Sequence, residues 1–239
     1  MRMISRIMRK IGNPEPQPPP WGLASALSAL VAALAAMIIG TLIMLTLLEG
    51  SSYAPLLGWI LGSVVTVAYI WSAFRRSRAF LHIAPTDARL FLILLFAVGM
   101  AFVIDLVDLG ITGAFLPAPE LGALVGVEAG FAGWVAAILF MLVAQPVAEE
   151  LAFRGVFFPA VRQVLGGWVG WLMSGLAYGL FHLIVYTSDP GNLWHSLGTP
   201  VLIGLVIGGV RASTGSTRAA IVAHIGFGVF ALLKLLALS

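Results

Sequence analysis

A chain that carries charge inside an otherwise apolar run has few ways to fold. The stretch Gln145-Pro146-Val147-Ala148-Glu149-Glu150-Leu151-Ala152-Phe153-Arg154-Gly155 sets three ionisable side chains between Phe131–Ala144 and Val156–Val161. In a bilayer each such charge costs about 2.5–3.5 kcal/mol at a helix centre on insertion scales, so an intramembrane cluster of them marks a functional site. Of the 239 residues, 60% are hydrophobic and 10% charged, where a soluble domain has about 25% charged residues. This balance predicts an all-α polytopic membrane protein.

Seven apolar spans are long enough to cross: Trp21–Leu48, Leu56–Phe74, Leu90–Leu109, Phe131–Leu165, Trp168–Tyr186, His195–Val210 and Ala219–Leu238. Pro146 kinks the fourth, or splits it to give eight. The positive-inside rule favours seven. Arg2–Lys10, the Arg75–Arg89 connection, Arg162, and Arg211 with Arg218 then all fall on the cytoplasmic side. Splitting at Pro146 strands the last three outside. Lys234 is the exception. The expected organisation is a basic, Pro-rich cytoplasmic N-terminus (1–20), three N-terminal spans (21–109) and a core of four spans (131–238) that carries the chemistry. Residues 1–12 read as a basic surface helix and 13–20 as a polyproline tether. The expected location is a bacterial plasma membrane.

No cysteine is present, which excludes disulfide and thiolate chemistry. The basic residues adjoin apolar spans and form no groove-sized patch with interleaved aromatics, so no nucleic-acid partner is expected. Oligomeric state is not encoded in any pattern here, although Gly204, Gly208 and Gly209 permit close helix packing.

Three of the later spans carry polar residues that can converge. Glu150 and Arg154 are four apart and share a helix face, which predicts an ion pair. Glu149 points about 100° away and is left without the arginine. Tyr178 and His182 also share a face on the next span. His224 lies on the last. One glutamate and two histidines suffice to activate water, by a carboxylate base with a histidine partner or through a metal held by Glu149, His182 and His224. Counted from the inner ends of their spans, Glu149 and His182 lie at similar depth, and His224 is shallower. His82 and His195 are expected to be solvated. Asp105 and Asp108 are expected to form a pore-mouth face, Gln145 and Glu128 have no assignable partner, and Asp189-Pro190-Gly191 reads as a turn.

Glu149-Glu150-x-x-x-Arg154, with Phe153 and Gly155, resembles the first motif of the CPBP family, the CAAX prenyl-protein endopeptidases and bacteriocin-processing (Abi) proteins. Tyr178-x-x-x-His182 is similar to the second, with Tyr where Phe is usual. His224 matches the third, but Gly228 stands where the family has Asn. The resemblance spans roughly residues 131–230. It implies an intramembrane endopeptidase acting on a membrane-embedded or lipidated protein or peptide. In it Glu149 activates water with His182, His224 stabilises the oxyanion, and Glu150 and Arg154 hold the geometry. A metal-free glutamate mechanism and a one-zinc mechanism both fit the resemblance. A non-catalytic immunity or assembly factor of the same fold, motivated by Gly228, and a proton-coupled transporter are the alternative functions.

Overall fold

The computed structural model describes residues 2–124, 130–186 and 192–238. A short helix α1 (Arg2–Gly12) precedes seven helices long and apolar enough to cross a membrane. These are α2 (Leu23–Leu47), α3 (Ala54–Ala73), α4 (Leu90–Thr112), α5 (Gly130–Leu165), α6 (Gly167–Val185), α7 (Trp194–Thr214) and α8 (Thr217–Leu238). The described residues contain no strand. Their polarity is that of a membrane protein: Leu42, Val65, Phe91 and Leu172 face outward, while Glu149, Glu150, Arg154, Arg162 and Arg211 are buried.

Close packing rests on small residues. A Cβ at Gly40 would lie 2.4 Å from the Gly58 carbonyl oxygen, which lets α2 and α3 touch backbone to backbone. At Gly228 a Cβ would lie 2.4 Å from the Met141 carbonyl oxygen, which brings α8 equally close to α5.

Pro146 does not split α5. The helix widens to π geometry over Phe140–Ala144 just before it, again over Leu151–Phe157 before Pro159, and α7 does the same over Trp194–Gly198 before Pro200. A proline lacks the amide hydrogen and crowds the carbonyl four residues back, and a widened turn relieves both. Seven spans follow, not eight. At 36 residues α5 is roughly 54 Å long at 1.5 Å per residue, which exceeds a hydrocarbon core of about 30 Å.

The N-terminal segment is docked. Ile11 is buried against Phe158 and Ala212. The tether carries Glu15, which is buried, and its two carboxylate oxygens accept from Arg162 and Arg211 at 3.2 Å each. Arg162 also donates to the Lys10 and Asn13 carbonyls. The tether expected from the sequence is therefore an anchoring strap. His82 is half-buried with Nε2 3.9 Å from Glu15, and its carbonyl accepts from the Thr217 amide. Burial and the Arg211 guanidinium push the His82 imidazole below its usual value, with Glu15 opposing them.

Candidate active site

The six-residue segment Gln145–Glu150 lies between the two widened turns of α5 and presents its glutamates in different directions. Glu150 faces α8 and its own helix. Its Oε1 accepts from Arg154 at 3.0 Å and lies 2.9 Å from His224 Nδ1. Arg154 is fixed further by donating to the Gly204 carbonyl of α7 at 2.7 Å, with its guanidinium 4.7 Å over the Tyr178 ring. This is the ion pair expected from the i, i+4 spacing, with His224 as a third member.

Glu149 faces α6. Its Oε1 accepts from the Tyr186 hydroxyl at 2.6 Å, and its Oε2, which makes no hydrogen bond among the described residues, lies 3.8 Å from His182 Nε2. His182 Nδ1 donates to the Tyr178 carbonyl at 3.1 Å, since a carbonyl can only accept. Nε2 therefore serves the opposite side of the ring. There it meets Glu149, Glu120 Oε1 at 3.3 Å and the Gln145 amide at 3.5 Å.

The depth of His224 is set by where α8 begins. The Gly215–Ser216 turn ends against His82, and the neighbouring Leu81 packs over Gly155. Helix α8 thus starts level with the middle of α5, which continues to Leu165. Counting each span from its own end assumed that all ends are level. They are not: α1 packs against α6 and α7, and the Glu15 strap holds Arg162 and Arg211. His224 Nε2 lies 3.3 Å from the Tyr178 hydroxyl, so Tyr178 joins the two halves.

A cavity of about 100 Å³ is bounded at one end by Tyr178, His182, His224, Glu120 and Gln145. Glu149 lies behind this wall, in contact with His182. At its other end the cavity reaches Asp105, Asp108, His195 and Lys234. The pore-mouth aspartates are thus placed as expected, but each is paired. Lys234 bonds Asp105, which accounts for its exceptional position in the charge pattern. His195, expected to be solvated, lies with Nδ1 2.7 Å from Asp108, and Nε2 lies 3.0 Å from the Pro117 carbonyl.

Sequence reasoning missed Glu120 and Tyr186, and gave Gln145 no partner. Glu120 lies on the Pro119–Leu124 turn, where buried Leu121 and Leu124 pin the connection into the bundle. Burial alone would raise the Glu120 carboxyl, but hydrogen bonding and charge from His182, aided by Gln145, hold it below the usual range. Two leucines spaced three apart beside an acidic residue were the available signal. Glu128 and Asp189 lie outside the described residues. Asn192 caps α7 by accepting from the His195 amide.

Both His224 nitrogens face protein partners, Glu150 and Tyr178, and among the described residues no group of three or more acidic or histidine side chains is arranged to hold a metal ion.

Residues 131–230 match the family model described as type II CAAX prenyl endopeptidase, Rce1-like. This is the family resemblance carried by the motifs, over the same segment. The matched segment includes most of α5 to α8 and all of Glu149, Glu150, Arg154, Tyr178, His182 and His224, while Glu120 lies outside it. The match supports an intramembrane CAAX-type endopeptidase at the level of the family. No curated protein and no solved structure matches the chain at a significant level.

Proposed function

We propose that the protein is a glutamate-type intramembrane endopeptidase that hydrolyses a peptide bond of a membrane-embedded or lipidated polypeptide. The observation that supports it best is the Glu149–His182 pair, with His182 on the cavity wall and Oε2 of Glu149 uncommitted behind it, 3.8 Å from Nε2. Water at this wall gives a proton to the pair as its oxygen attacks the peptide carbonyl carbon. The tetrahedral intermediate collapses, the C–N bond breaks, and the pair returns the proton to the leaving amine. Tyr186 holds Glu149, and the Tyr178 carbonyl fixes the tautomer of His182.

His224 stabilises the oxyanion. Glu150 Oε1, which also accepts from Arg154, holds the ring from its Nδ1 side. Gly228 supplies no side-chain donor. The Tyr178 hydroxyl, next to His224 and on the same cavity wall, takes that place. The two departures from the family pattern thus compensate each other: a hydroxyl is gained at 178 where an amide is lost at 228. Glu120 and Gln145 orient His182 from the cavity side.

We assign the four spans of 131–238 to catalysis, and the three of 21–109 to support. The protein resides in a bacterial plasma membrane with its N-terminus in the cytoplasm. Purified enzyme in proteoliposomes, presented with lipid-anchored peptides, tests the proposal. Cleavage that His182→Ala abolishes supports it. Intact substrate with wild type, together with a phenotype that survives His182→Ala, favours the non-catalytic assembly role that Gly228 suggests.

A further inference from the structure

The two ends of the bundle differ in charge. Of the 13 Lys and Arg residues, all but Arg154 and Lys234 lie on α1, on the 75–89 connection, or near the α5–α6 and α7–α8 turns. Those positions share one end of the bundle: Lys10 donates to the Ser213 carbonyl, Arg162 and Arg211 share Glu15, and Thr217 meets His82. Of the two exceptions, Arg154 is locked in the site and Lys234 is tied to Asp105.

The cavity leads the other way. It passes from His182 and His224 to the last turns of α4 and α8, where Asp105, Asp108 and Lys234 stand, and to the first turn of α7 at His195. The connection that closes it, with Glu120, also comes from that end. By the positive-inside rule the basic end is cytoplasmic.

The geometry points to a site that opens on the extracytoplasmic face and takes a polypeptide held at the outer leaflet. The walls between mouth and site carry Ile104, Met141, Ile203, Phe227 and Phe230, and the polar groups at the mouth are engaged with one another in the Asp105–Lys234 and Asp108–His195 pairs. Such a passage suits the apolar chain or lipid-flanked segment of an exported, membrane-anchored protein. Among the described residues it offers no uncommitted cation for a free C-terminal carboxylate delivered from the cytoplasm. The word substrate here rests on the proteolytic reading above; the sidedness does not.

The cysteine-free chain makes sidedness directly measurable. Single cysteines are introduced as Ala114→Cys, exposed at the mouth end, and Ala79→Cys, exposed at the basic end. Membrane-impermeant maleimide on intact cells is expected to label Ala114→Cys, and to label Ala79→Cys only after permeabilisation. The reverse pattern overturns the inference. Wild-type enzyme in oriented vesicles is then given a lipid-anchored apolar peptide on one face at a time. Cleavage only from the mouth face supports the inference, and cleavage only from the basic face overturns it. Correct labelling with no cleavage from either face leaves the sidedness standing and sinks the proteolytic reading instead.

Discussion

Glu15 and Glu149 are both buried carboxylates, and their partners differ in kind. Both oxygens of Glu15 are taken by guanidinium groups of Arg162 and Arg211. A guanidinium stays charged at any ordinary pH, so the groups that hold both oxygens exchange no protons and form a fixed clamp between the N-terminal strap, α5 and α7. Glu149 has a phenol on one oxygen and an imidazole within reach of the other. The imidazole can gain and release a proton near neutral pH. Burial of a carboxylate alone does not separate structure from chemistry here; the titrability of its partners does.

Several substitutions break or sharpen that contrast. The largest effect is expected at the clamp. Glu15→Gln leaves two arginines buried without a counter-charge, and breaking a buried pair in this way typically costs about 3–5 kcal/mol. Thermal unfolding in detergent should show a large drop, with cleavage per folded molecule retained. An unchanged melting temperature would mean that the strap is not anchored as described.

At the site, Tyr178→Phe should lower kcat by about 10²–10³, the usual effect of removing one oxyanion donor, and leave the melting temperature nearly unchanged. Full activity of this variant would return the oxyanion role to His224 alone. Gly228→Asn should fail to improve catalysis and should destabilise the protein, because a Cβ at 228 collides with the Met141 carbonyl; overpacking of this kind costs about 1–3 kcal/mol. A stable and more active Gly228→Asn enzyme would refute the compensation between positions 178 and 228.

The smallest effect concerns pH. The folded state holds the His82 imidazole below its usual value. The unfolded chain then binds the proton more readily, so this residue's contribution is present above the unfolded pKa of about 6.5 and is lost as pH falls through the lower folded value. His82→Asn should flatten the acid side of the stability profile. An acid limb unchanged by the substitution would contradict the assignment.

The spans, their number and the Glu150–Arg154 pair were legible because hydropathy and helical spacing are local properties. The motif residues were legible because they are short and ordered along the chain. The Glu15 clamp was not, since its partners lie 147 and 196 residues away and nothing in Asn13–Pro20 marks a docking surface. Glu120 was hidden for the same reason, being tied to His182 by tertiary packing of a loop. The depth of His224 was misjudged because a count along one helix says nothing about where its neighbour ends. Pro146 was read as a kink in one long span, and the widened turn that absorbs it depends on packing against α3 and α8 that no local pattern announces.

The central claim is that Glu149 does chemistry where Glu15 only holds the fold. The direct measurement is cleavage of a lipid-anchored peptide by Glu149→Gln and Glu15→Gln enzymes in proteoliposomes, each normalised to the folded fraction. The account predicts that Glu149→Gln keeps its melting temperature within a few degrees and loses about 10²–10⁴ in rate, while Glu15→Gln melts far earlier and cleaves normally per folded molecule. A Glu149→Gln enzyme that cleaves at the wild-type rate would contradict it.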